Sequence, residues 1–142
     1  MSSASRAINA YVNTEIDTAV PHADGHRLVS MLFDGALTAV ADAKLKLSRG
    51  DIPGRGAAIS KAIGIVEQGL RCSLDKDKGG EIASRLDSLY EYICGRLLTA
   101  NLKADANGLD EATILLSELH DGWKGIGRTQ PQMNAAAHEA RG

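Results

Sequence analysis

The stretch GGEIASRLDSLYEYICGRLLTANLK, residues 79–103, carries apolar residues at steps of three and four and reads as one long helix. Ile82, Leu86, Leu89, Ile93, Leu97 and Ala100 fall on a stripe roughly 80° wide on a helical wheel, the face such a helix turns to a core. Cys94, Leu98 and Leu102 project the other way, among Asp87, Glu91 and Gly95. A helix that is apolar on its core face and again on part of its back is either packed on two sides or binding something.

The same period recurs on both sides of this segment. Val20-Pro21-His22-Ala23-Asp24-Gly25 is a breaker, with Asp24 suited to cap a helix that starts near His26. That helix carries Val29, Phe33, Ala36, Val40, Ala43 and Leu47 on one stripe and stops at Gly50, with Met31 on its far side. After the turn 51–56, in which Asp51 or the Pro-Gly pair starts a helix, Ile59, Ala62, Ile63, Val66, Leu70 and Ser73 carry the pattern to about Leu74. A turn at 105–108 precedes a last helix with Leu109, Ala112, Leu116, Leu119, Trp123 and Ile126 on one face and Ile114 pointing away.

Helices of about 18 to 24 residues joined by short loops predict an all-α fold, an antiparallel four-helix bundle, or a bundle completed by dimerisation. Ile8, Tyr11, Val12 and Ile16 give the N-terminus a short amphipathic helical arm that is too short to be stable alone. The expected organisation is an arm and linker over 1–23, the bundle over 24–127, and a disordered tail over 128–142.

Composition bounds the function. At 142 residues, 44% hydrophobic and 24% charged, the chain is a single globular domain of ordinary make-up. A net charge of −2, and a basic cluster Lys44, Lys46, Arg49 without aromatic neighbours, predict no nucleic-acid partner. No apolar run is long enough to span a bilayer, and MSSASRAINAY lacks the apolar region of a secretory signal, so a cytoplasmic protein without membrane insertion is expected. Cys72 and Cys94, 22 residues apart, fit neither a CxxC nor a metal-ligand spacing and are expected as free thiols.

Catalytic and metal signatures are missing. The core stripes hold no carboxylate for a di-metal site, and Glu118 and His120 lie two residues apart, on different faces of a helix. The loop 75–80 lacks the alternating acidic ligands of a calcium loop. No nucleophile elbow or phosphate-binding glycine loop is present, and neither an enzymatic step nor a cofactor is expected. One enzyme-like alternative is a histidine phosphotransfer carrier centred on His120, since HDGWKG at 120–125 resembles the signature of those four-helix domains. Its Lys-Gly falls one residue late, however, and near the helix end. His22, His26 and His138 have no partner array and are expected to be solvated.

Five blocks in order carry a resemblance: Ala10-Tyr11, LVSMLFDGAL at 28–37, ISKAIGIVEQGLRCSLD at 59–75, GGEIASRLDSLYEYICGRLLTAN at 79–101, and Trp123. Together, over about residues 8–126, they resemble the FliS family of flagellar secretion chaperones. The resemblance implies a cytoplasmic helical bundle that binds the C-terminal segment of flagellin, prevents its premature polymerisation and assists its delivery to the flagellar type III export apparatus. It also implies that this client adds helices in apolar grooves, and that an arm matching Ile8 and Tyr11 covers one groove when the chaperone is free. The family's usual Ser/Thr-Pro cap is replaced here by Val20-Pro21, which moves the capping role to Asp24. On this basis the expected partner-binding residues are Ile8, Tyr11, Met31, Cys94, Leu98, Leu102 and Ile114, with Tyr90 and Tyr92 as aromatic anchors.

Overall fold

Among the described residues four helices follow one another, and the residues that start and stop them are mostly those that local chemistry nominates. The structure, a computed structural model, describes the backbone of residues 24–141 and the side chains of residues 25–126. The expected N-terminal arm, with Ile8 and Tyr11, lies outside the described residues.

Helix α1, Asp24–Ser48, ends at Gly50, whose φ of +71° is left-handed backbone that costs glycine little. Asp51 then accepts the Gly54 N–H at 3.0 Å and caps α2, Ile52–Gly64, with Pro53 in its first turn, where a missing donor is harmless. Helix α2 runs on into a π-helical turn, Ile65–Leu70, in which the Arg71 N–H reaches five residues back to the Val66 carbonyl. This turn widens the helix where the sequence reading continues an ordinary α-helix to Leu74, and Ser73, expected on its core stripe, is exposed. Gly69 in the turn meets α1 closely, since a Cβ there would lie 2.9 Å from Leu32 Cδ2.

Helix α3, Lys76–Lys103, starts three residues earlier than the glycine pair suggests, because Asp75 accepts the Lys78 N–H at 3.0 Å. Gly80, at φ 54° and ψ −126°, is non-helical, so a short first turn is joined across a kink to the long helix, which begins just after the glycine pair that the sequence nominates as its start. The helix closes at Ala104 in left-handed backbone (φ 52°). Helix α4, Ala106–Arg141, includes the segment 128–141 that composition assigns to a disordered tail. Ala135, Ala136 and Ala137 in that segment are the residue type of highest helix propensity.

The helices pack in sequence order as an all-α bundle, α1 against α2 and α4, and α3 against α2 and α4. Phe33, Val40, Ile59, Val66, Ile93, Leu97, Leu109 and Leu116 are fully buried at its centre, so four helices of one chain close the core. Each such Leu, Ile or Phe contributes about 1.5–3 kcal/mol by leaving water. Besides Ser73, two large apolar residues expected on core stripes are exposed: Ile82 at 71% and Ile126 at 50%. The antiparallel pairing of α3 with α4 explains the first. Tyr92 and Arg96 meet Glu111, so Ile82, ten to fourteen residues before them, lies level with residues 121–125, where the core ends.

Candidate functional site

Helix α3 sets the site because it is clamped to α2 at both ends and only partly covered between them. At one end Arg55, almost fully buried, donates through Nε to Asn101 Oδ1 at 3.1 Å and through Nη2 to the Asn101 carbonyl at 3.0 Å. At the other, Arg71 reaches Asp87 at 2.6 Å and also contacts Glu67 and Glu91. The hydrogen bond from Arg71 holds the Asp87 carboxyl below the usual carboxylate range, and burial opposes that shift only in part.

From between the clamps to just past the Asn101 one, Cys94, Leu98 and Leu102 stand four residues apart, a single row along the helix. Their exposures rise along the row, 8%, 53% and 77%. Cys94 is therefore a correction to the outward position expected of it. Helix α2 packs on that side as well, and the thiol points at the Ile63 carbonyl at 4.0 Å. Burial, together with the charge of Glu67, pushes this thiol up to about 12, which keeps it protonated and unreactive at neutral pH. Leu98 and Leu102 continue the row into solvent. Ile52, 64% exposed in the first turn of α2, lies three residues before Arg55 and so belongs to the same end of the bundle as Leu102. Sequence reasoning passed over Ile52 as part of a turn; the available signal was a large apolar residue directly after a capping Asp.

The other expected contact residues divide. Tyr90 is core: it is 4% exposed, its ring tilts against Phe33 at 6.4 Å, and burial pushes its phenol up to about 12. Its burial against Phe33 removes it from any outer surface. Tyr92 is exposed, and its hydroxyl donates to Glu111 Oε2 at 2.7 Å, with Arg96 on the other oxygen of the same carboxylate. Those two hydrogen bonds, Tyr92 first, hold the Glu111 carboxyl down. Ile114, 57% exposed, is one turn from Glu111 on α4, away from the Leu98–Leu102 row. Met31 is half-buried on α1 rather than outward.

His120 is not available as a phosphoryl acceptor. It is 5% exposed, with its ring stacked on Phe33 at 5.3 Å and Nε2 bonded to Ser30 Oγ at 2.8 Å. His26, expected to be solvated, is half-buried and stacked on Trp123 at 4.7 Å. Among the described residues, no three His, Cys, Asp or Glu side chains converge as a metal site, and no helix is long and apolar enough to cross a membrane.

The described residues form a helical bundle with clamped seams and an apolar row left exposed. The chain belongs to the flagellar protein FliS family, whose model matches residues 5–130. It is 47% identical to the flagellar secretion chaperone FliS of Salmonella typhimurium over 119 residues, covering 84% of this chain and 88% of the relative. It is 44% identical to FliSB of Pseudomonas aeruginosa over 123 residues (87% and 97%), and 40% identical to FliS of Escherichia coli over 121 residues (85% and 89%).

Proposed function

We propose that this protein is a cytoplasmic flagellar export chaperone, which binds the C-terminal segment of flagellin, keeps it from polymerising and hands it to the type III export apparatus. Membership of a family whose relatives are named flagellar secretion chaperones supports the role. The observation that carries the site is the row Cys94, Leu98, Leu102, which emerges from the α2–α3 seam into solvent. A disordered client that folds as helices on this row repays its ordering entropy by burying apolar area, and needs no covalent chemistry to do so. Ile52 extends the seat at the Leu102 end. Ile8 and Tyr11 contact the client as well, and Tyr92 and Ile114 border a second, smaller contact.

Calorimetric titration with a peptide from the flagellin C-terminus tests this. Burying two leucines contributes about 3–6 kcal/mol, so Leu98→Asp with Leu102→Asp is expected to weaken binding by about 10²-fold or more. Both side chains are exposed, so the thermal midpoint of the double variant stays close to that of the parent. No binding at micromolar peptide overturns the chaperone reading; undiminished binding by the double variant overturns only the site.

A further inference from the structure

The two arginines that clamp α3 to α2 differ in what neutralises them. Arg71 sits among carboxylates, on Asp87 at 2.6 Å and Glu67 at 3.0 Å, with Glu91 at 3.4 Å. Arg55, only 9% exposed, spends Nε and Nη2 on the neutral oxygens of one residue, Asn101. Among the described residues no carboxylate pairs with it, and its Nη1 has no acceptor. The Asn101 carbonyl lies in the last turn of α3, where a helix end carries about half a negative charge, so the guanidinium is neutralised only in part. A buried charge without its partner is costly, and arginine cannot shed its proton to relieve it.

The acidic side chains nearest in sequence are committed elsewhere. Asp51 accepts the Gly54 N–H, and Asp105 accepts the Asn107 N–H, each at 3.0 Å. Lys103, exposed and next to Leu102 in the chain, adds a second positive charge that no carboxylate meets among the described residues. Asn101 stands between Leu98 and Leu102 in the chain, and α2 comes close to it, since a Cβ on Gly56 would lie 3.7 Å from Asn101 Nδ2. The guanidinium thus belongs to the Ile52–Leu102 end of the apolar seat. The opposite end is acidic, because Glu91, one turn before Cys94, has a side chain 70% exposed.

We propose that Arg55 is a carboxylate subsite of this seat: a client helix lying on Leu98 and Leu102 sets one carboxylate, from an acidic side chain or from its C-terminus, on the Nη1 edge of the guanidinium. The inference rests on the chaperone reading and adds a sequence requirement to it. Two leucines and an isoleucine accept many amphipathic helices, whereas a planar fork with donors left over accepts a carboxylate in one register. The row supplies affinity, and Arg55 selects which segment binds and where it stops.

A double-mutant cycle by calorimetric titration decides this. Each acidic residue of the flagellin C-terminal peptide is replaced in turn by its amide, and the terminal carboxylate by a carboxamide, against the full parent chain and against Arg55→Gln. One replacement is expected to weaken binding to the parent about tenfold or more, and binding to Arg55→Gln less than about twofold. Its position tells a side-chain carboxylate from the terminal one. If no replacement matters to the parent, or the one that matters does so equally in Arg55→Gln, Arg55 only clamps α3 and the subsite is overturned. Should Arg55→Gln fail to fold, the Arg55 Nε–H resonance of the parent decides: it shifts further with the unmodified peptide than with the weakened one at saturation, and identical shifts overturn the subsite. Absence of any binding by the unmodified peptide overturns the chaperone reading and the subsite together.

Discussion

Where α4 runs beside α1, polar groups from both helices bond across the seam at intervals: Lys44 to Asp110 at 2.8 Å, Ser30 to His120, and His26 to Trp123 twice. Where α3 runs beside α2, the polar bonds stand at the two ends, at Asn101 and Asp87, and among the described residues the Leu98–Leu102 row stands exposed. The first seam satisfies itself. The second holds two helices at fixed spacing while its apolar edge stays wet, which costs solubility unless something covers it. A bundle selected only for stability would finish both seams alike, so the asymmetry is where binding separates from folding.

Three substitutions sharpen or break that contrast. Phe33 supports the closed seam from inside, touching His120 and Tyr90, and Phe33→Ala is expected to cost about 3–5 kcal/mol in urea unfolding, the largest effect of the three. Asn101→Ala removes one of the two acceptors that hold the buried Arg55 and is expected to cost about 1–3 kcal/mol. It also frees the Leu102 end of the open seam, so client affinity falls along with stability; a loss of stability with affinity intact would show that the clamp does not position the row. Ile114→Ser lies on neither seam. A change within about 0.5 kcal/mol is expected, with a small loss of client affinity measured by the same titration, and a loss as large as that of the Leu98 and Leu102 variant would move the main site onto α4.

Much of this was legible in the sequence because helix periodicity reports burial directly. Phe33, Val40, Leu97 and Leu116 stood on their stripes and lie in the core, while Leu98 and Leu102 stood off theirs and lie in solvent. What the wheel missed depends on neighbours it does not contain. Cys94 shares the angular sector of Leu98 yet is covered, because α2 packs on it at Ile63 and leaves Leu98 half exposed. Ile82 shares the sector of Ile93 yet is exposed, because the core ends below its level. The pairing of His26 with Trp123 joins residues 97 apart in the chain, and local pattern carries no trace of it.

The π-helical turn Ile65–Leu70 has a consequence for how the chain tolerates change in length. A π-turn absorbs one surplus residue without rotating the flanking segments against each other, whereas each residue added to or taken from a regular helix turns everything beyond it by about 100°. A single deletion within 65–70 would therefore tighten the turn to α-helix and leave Ile59 facing the core and Arg71 facing Asp87. The same deletion within 54–62 would swing one of them away. Alone among the turns of α2 and its continuation, this one can lose a residue and keep its neighbours in phase.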